Sequence, residues 1–267
     1  MTDQPAEMVN PGMEADGLSV AFGGLKAVDK ASFAGPLGSI TGLIGPNGAG
    51  KTTTFNALTG LVTPTGGTVR LFGESVGRLS PAARARRGLG RTFQRMELVN
   101  AMTARTNVML GAECRAAGAN PLRQIIGSRT ARRAVDDATT QAMELCGIEH
   151  LSERTVGTLS TGQRRLVELA RVFAGGFQMM LLDEPSSGLD EDETELFGGV
   201  LTNAVRERGV GILLVEHDMA LVMSICSYIY VLDFGQMIFD GTVAATQKSD
   251  LVRAAYLGSE EVEERSA

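Results

Sequence analysis

Few eight-residue stretches restrict a fold as tightly as Gly45-Pro46-Asn47-Gly48-Ala49-Gly50-Lys51-Thr52, which follows the mostly apolar run Ile40–Ile44 and opens a helical stretch, Thr52 to Leu61. The octapeptide satisfies G-x-x-x-x-G-K-[ST] in full, and a strand before it with a helix after it is the context in which that pattern has meaning. Its glycines let backbone N–H groups close around phosphate oxygens at the positive end of a helix. Lys51 then brings a cation to the β- and γ-phosphates of a nucleotide, the Thr52 hydroxyl is a Mg²⁺ ligand, and Thr53 continues the phosphate-binding run. Taken alone, such a loop leaves kinases and GTPases open.

The surrounding pattern predicts the fold class. Leu18, Val20 and Phe22 alternate with small or polar residues, as in a half-buried strand. Thr63–Gly67 reads as a turn leading to a strand over Thr68–Phe72, and short apolar runs recur at Met179–Leu182 and Gly211–Val215 around a helix from about Asp192 to Arg208. Apolar runs alternating with helices predict parallel strands covered on both faces. From about 95 to 171 the strand signal nearly vanishes in favour of Ala-, Arg- and Glu-rich helical pattern. The expected architecture is α/β: a P-loop core interrupted by a mainly helical subdomain at about 95–171. Residues 1–15 read as a flexible lead-in and 259–267 as an acidic tail.

A second chemical feature lies at the end of the run Met179–Leu182, where Asp183 and Glu184 stand side by side. A strand end delivers Asp183 to the Mg²⁺ edge of a nucleotide site. Glu184 then falls beside the γ-phosphate, where a carboxylate can orient or deprotonate the attacking water.

Leu159-Ser160-Thr161-Gly162-Gln163, before a helical run and upstream of Asp183, resembles the LSGGQ signature of ABC ATPases with Thr at the third place. The resemblance extends over roughly residues 16–258, and it implies one ATPase domain there, a P-loop NTPase core with an antiparallel β subdomain and the inserted helical subdomain. It implies that Ser160, Gly162 and Gln163 contact ATP, and that Gln94 in Arg91-Thr92-Phe93-Gln94 is the Q-loop glutamine that meets Mg²⁺. It further implies that Ser187-Gly188-Leu189-Asp190 is a D-loop that crosses to the partner subunit, with Asp190 among the nucleotide contacts, and that His217 contacts the γ-phosphate. Phe22 occupies the place of the aromatic that stacks on adenine. Phe22-Gly23-Gly24-Leu25, Arg164-Arg165-Leu166, Glu216-His217-Asp218-Met219 and Ala255-Tyr256-Leu257-Gly258 bring the chain nearest to the LivG-like branch, the ATPase subunits of branched-chain amino-acid importers. The partners so implied are transmembrane permease subunits, a second ABC ATPase subunit (a copy or a paralogue) and, indirectly, a solute-binding protein. The implied location is peripheral, on the cytoplasmic face of the membrane.

Composition weighs against two other readings. A net charge of −6 and a pI near 5.1 argue against a general nucleic-acid binder, which carries a basic face. A soluble ABC ATPase acting on nucleic acid or the ribosome usually brings a tandem domain, a long coiled coil or a basic linker, and no such feature is legible. A small-molecule kinase leaves Ser160–Gln163 unexplained. The start of the chain lacks the basic and apolar blocks of a signal peptide. The near-apolar stretch Met219–Leu232 falls short of the roughly 20 residues that span a bilayer and reads as a buried helix entering a buried strand. Cys114, Cys146 and Cys226, widely spaced, read as reduced, buried thiols. Asp233-Phe234-Gly235, between two apolar runs, reads as a hairpin turn.

Overall fold

The computed structural model describes residues 11–92, 96–117 and 129–256. Two sheets form the frame. The first is antiparallel, in the order β2-β1-β4-β5, from β1 (Met13–Phe22), β2 (Leu25–Gly35), β4 (Gly66–Leu71) and β5 (Glu74–Ser75). Phe22 pairs with Leu25 across Gly23-Gly24, so the tetrapeptide that carried a family resemblance is also a tight hairpin turn. The second sheet runs β10-β9-β3-β8-β7-β6, from β3 (Ile40–Ile44), β6 (Leu89–Arg91), β7 (Met179–Asp183), β8 (Gly211–Val215), β9 (Tyr228–Asp233) and β10 (Gln236–Gly241). Its strands pair in parallel except for β10, which returns antiparallel on β9 through the turn at Phe234-Gly235.

The parallel strands are buried on both faces because their side chains divide between two cores. Met179 and Leu181 point into a cluster with Leu18, Val28, Leu71, Phe55 and Leu58, between this sheet and the antiparallel one. Met180 and Leu182 point the other way, among residues of the remaining helices. Alternation at period two thus becomes two apolar layers, and the run reads as continuously hydrophobic in sequence. The helix α1 (Lys51–Thr59) lies in the first layer. Its carboxyl end is closed by a buried cation: Arg84, in α2 (Pro81–Arg86), donates to the carbonyls of Ala57 at 2.8 Å and Leu58 at 2.5 Å. A guanidinium there satisfies the last carbonyls and complements the helix dipole.

The inserted segment holds α3 (Ala104–Ala117), α4 (Arg129–Leu145) and α5 (Thr161–Ala174), packed on one another. Helices α6 (Glu191–Arg208), α7 (Met219–Ile225) and α8 (Val243–Lys248) complete the described elements used below. No described helix is long and apolar enough to cross a membrane. Met219–Leu232 is a helix running into a strand, as its pattern predicts.

Two expectations need correction. The lead-in ends earlier than residue 15, because Met13 and Ala15 pair with both neighbouring strands and are buried. Cys146 and Cys226 are buried, but Cys114 is exposed on α3. Burial pushes both enclosed thiols up, that of Cys226 to about 12.

Candidate nucleotide site

Everything chemical gathers at the carboxyl ends of β3, β7 and β8. The loop leaving β3 passes so close to β9 that a Cβ on Gly45 would lie 1.9 Å from the Leu232 carbonyl oxygen. Gly50 takes φ 103°, and a Cβ there would meet the Ala27 carbonyl at 2.4 Å. Only glycine fits either place. Gly50 is also the N-cap of α1 and offers no side-chain cap, which leaves the first-turn N–H groups directed at the loop. Lys51 Nζ donates to the carbonyls of Gly45 at 2.6 Å and Pro46 at 2.9 Å. Burial lowers the pKa of Lys51, against the opposing pull of Glu184 and Asp183, so cation and carboxylates share one small volume.

Asp183, at the last position of β7, is 3% exposed, and burial raises its pKa while Arg91 opposes the rise. Its Oδ2 accepts from Arg91 Nη2 at 2.9 Å. The next residue, Glu184, leaves the strand at φ 48°, a left-handed conformation that costs a non-glycine residue about 1–3 kcal/mol. Its N–H still donates to the Val215 carbonyl at 2.8 Å, which holds the turned backbone against β8. The turn brings Glu184 Oε1 within 2.8 Å of His217 Nε2. Asn47–Thr53, Glu184 and His217 line one cavity of about 560 Å³, together with Leu25–Ala27 and Phe234-Gly235. A cation, open helix amides, a hydroxyl and a carboxylate on a histidine can together bind a polyphosphate and accept a proton from water. A cavity of about 650 Å³ at the opposite ends of the strands, by Gly88 and Gln178, is lined by no acidic or histidine side chain.

Glu216, to which the sequence assigns no role of its own beside His217, organises this edge. Buried at 2% exposure, it accepts from the N–H of Ser186 at 2.8 Å and of His217 at 3.1 Å. Burial raises its pKa against those hydrogen bonds. It joins the segment after Glu184 to the segment carrying His217, and so fixes both partners of the 2.8 Å bond.

Other expected residues lie apart from this cavity. Ser160 caps α5: its Oγ accepts from the Gln163 N–H, and Gln163 Oε1 accepts from the Ser160 N–H, both at 3.2 Å. Asp190 caps α6 in the same way, with Oδ1 2.8 Å from the Glu193 N–H. Neither these residues nor Gly162 line the cavity of Lys51, and Phe22, 53% exposed, stands outside its lining too. Gln94 falls outside the described residues.

Gly162 has a local reason to be glycine. A Cβ there would lie 2.3 Å from Glu193 Oε1, the carboxylate that completes the α6 capping box. Gly162→Ala is therefore expected to push aside the flexible end of Glu193 and loosen the α6 capping box, a loss that offsets the roughly 0.5–1 kcal/mol that Ala gains over Gly in a helix. In a Glu193→Ala background, with no carboxylate to displace, that gain is expected in full. Urea unfolding of the four proteins checks this, and additive effects would show that the carboxylate is not the obstacle.

Comparison with known proteins agrees with this geometry. The ABC transporter family profile matches residues 28–187. The high-affinity branched-chain amino acid transport ATP-binding protein BraF of Pseudomonas aeruginosa is 39% identical over 254 residues, covering 94% of this chain and 99% of that protein. The corresponding protein LivG of Escherichia coli is 35% identical over 254 residues, with the same coverage. Among solved structures, an ATP-binding cassette of an ABC transporter in its ADP conformation superposes with a TM-score of 0.81 at 27% identity, covering 93% of this chain and 99% of that one.

Proposed function

The chain belongs to the ABC transporter family of ATP-binding, ATP-hydrolysing cassettes, and from that premise we propose that it drives an importer of branched-chain or other hydrophobic amino acids. The observation that carries the catalytic part is the 2.8 Å contact of Glu184 with His217 in the cavity of Lys51–Thr53. In this reading the α1 amides and Lys51 bind the β- and γ-phosphates. Glu184 takes the proton of the attacking water, and His217 holds that carboxylate and reaches the γ-phosphate. Phe22, exposed beside the site, offers its ring to adenine.

The donors fit Mg²⁺: a hydroxyl and a buried carboxylate are hard oxygen ligands, and this ion needs few of them beside phosphate and water. Thr52 and Asp183 would hold it, with Gln94 added by the family pattern. When bound, it neutralises charge on the β- and γ-phosphate oxygens.

Ser160, Gly162, Gln163 and Asp190 lie outside the lining of their own chain's cavity. That supports a site completed by a second cassette, either a copy or a paralogue, whose signature helix presents its amino end to the γ-phosphate. Val99 and Met102, each 39% exposed just before α3, support docking of this region on transmembrane permease subunits. The chain then sits peripherally on the cytoplasmic face of the membrane, and a solute-binding protein delivers cargo from the other side. The names of the relatives support transport of amino acids and offer nothing for nucleic acid or ribosomes.

The test is reconstitution with candidate permeases and binding protein in proteoliposomes, with the chain and ATP on one side and labelled leucine on the other. ATP-dependent accumulation of leucine on the chain's side is expected. Robust ATP hydrolysis with no movement of leucine, isoleucine or valine would overturn the cargo assignment.

A further inference from the structure

Arg91 has no part in the reading above, yet its guanidinium lies at the junction of three elements. One arm, Nη2, donates to Asp183 Oδ2 at 2.9 Å, and the pair is enclosed, with side chains 8% and 4% exposed. The other arm, Nη1, donates to Asn56 Oδ1 at 2.7 Å and Thr59 Oγ1 at 3.3 Å, both on α1. The cation also lies over the Phe55 ring, 5.8 Å from its centroid. Arg91 itself ends β6, which pairs with β7 at Leu181. Thr92, the next residue, accepts the Asp183 N–H at 3.3 Å.

We propose that Arg91 is a positioning residue that sets the spacing between two of the Mg²⁺ donors, Asp183 and Thr52. A buried ion pair adds little net stability, since desolvation offsets most of its attraction, so its effect here is geometric. Because Oδ2 is engaged, Asp183 can turn only Oδ1 outward. Because Nη1 is anchored on α1, the guanidinium cannot drift, and α1 is the helix that begins with Lys51 and Thr52. Arg91 is thus a strut between the helix bearing one donor and the strand bearing the other. Its rigid planar fork reaches both partners at once, which a lysine ammonium, a single point of charge, does not reproduce.

The inference rests on the Mg²⁺ assignment above, and the experiment separates the two. ADP affinity is measured by calorimetry with EDTA and across a Mg²⁺ titration, for the wild type, Arg91→Lys and Asn56→Ala. In EDTA all three are expected to bind ADP alike, which also shows that the variants are folded. With Mg²⁺ the wild type is expected to gain affinity. Arg91→Lys is expected to need about 10–100-fold more Mg²⁺ for the same gain, the usual cost of losing a group that orients a metal ligand. Asn56→Ala is expected to fall between them. Equal Mg²⁺ dependence in the wild type and Arg91→Lys would overturn the positioning role alone. A wild type that gains nothing from Mg²⁺ would overturn the metal assignment, and this role with it. Arg91→Lys losing ADP affinity equally with and without Mg²⁺ would mark Arg91 as structural and also overturn the proposal.

Discussion

Glu184→Gln is expected to slow ATP hydrolysis by about 10²–10⁴-fold, the range a positioned general base contributes. The substitution keeps the shape of the side chain, and an amide can still hydrogen-bond His217 Nε2 across the 2.8 Å contact. The Glu184 N–H bond to Val215 is a backbone bond and is untouched. What disappears is the oxygen basic enough to accept a proton from water. ATP affinity is expected to stay near the wild-type value, since the α1 amides and Lys51 are unaltered. If two cassettes close on ATP, the variant also accumulates as a nucleotide-bound pair, because the step that opens the pair is blocked. Phosphate release in single-turnover experiments measures the first effect, and light scattering with and without ATP measures the second. A wild-type rate of phosphate release would remove Glu184 from the role of base. ATP-independent monomers, with every partner cassette supplied, would overturn closure on ATP.

Lys51→Ala is expected to weaken ATP binding by about 10–150-fold, the equivalent of the 1.5–3 kcal/mol carried by a hydrogen bond to a charged group. Two losses act together. The cation facing the phosphates goes, and so do the bonds from Nζ to the carbonyls of Gly45 and Pro46 that gather the loop. The carboxylates of buried Asp183 and half-buried Glu184, whose charges Lys51 feels, then face the incoming phosphates without compensation. Equilibrium dialysis with labelled ATP measures the affinity, and an unchanged value would sink the assignment of the loop.

How much of the site is legible in the sequence follows from how narrow the physical demand is at each place. A loop in which Gly45 and Gly50 tolerate no Cβ, and in which a lysine and a hydroxyl must open the next helix, can be met by few sequences. Asp183 and Glu184 were legible through their company: an apolar run ending in two carboxylates also suits an acidic helix start, but beside a phosphate loop it supplies the metal and water ligands that the loop lacks. β2 was not anticipated element by element: three register shifts against β1 interrupt the pairing of Leu25–Gly35, and the inward–outward alternation changes phase near Lys30, so no single period of two runs through the strand. Arg84, Arg91 and Glu216 were silent for another reason. Their partners are backbone groups or side chains brought near by the fold: Asp183 pairs with Arg91 at a sequence distance of 92, and Ser186 with Glu216 at 30. Nothing local marks such a charge as buried. Ser160 and Asp190 were anticipated as nucleotide contacts, and within one chain their side chains are engaged in helix caps. A cap residue and an anion-binding residue have the same composition, so sequence alone does not separate those uses.

The uneven burial of the three cysteines makes the unaltered chain its own reporter. At neutral pH a maleimide dye meets a single address in the folded state, Cys114 on α3, because Cys146 and Cys226 are sealed in the core with their protons held. That address lies in the inserted helical layer, away from the loop, the carboxylates and His217. Fluorescence from one dye per chain would therefore report whether that layer moves against the sheet during a turnover cycle, with no engineered site. A second and third dye arriving on the same chain would record the collapse of the core.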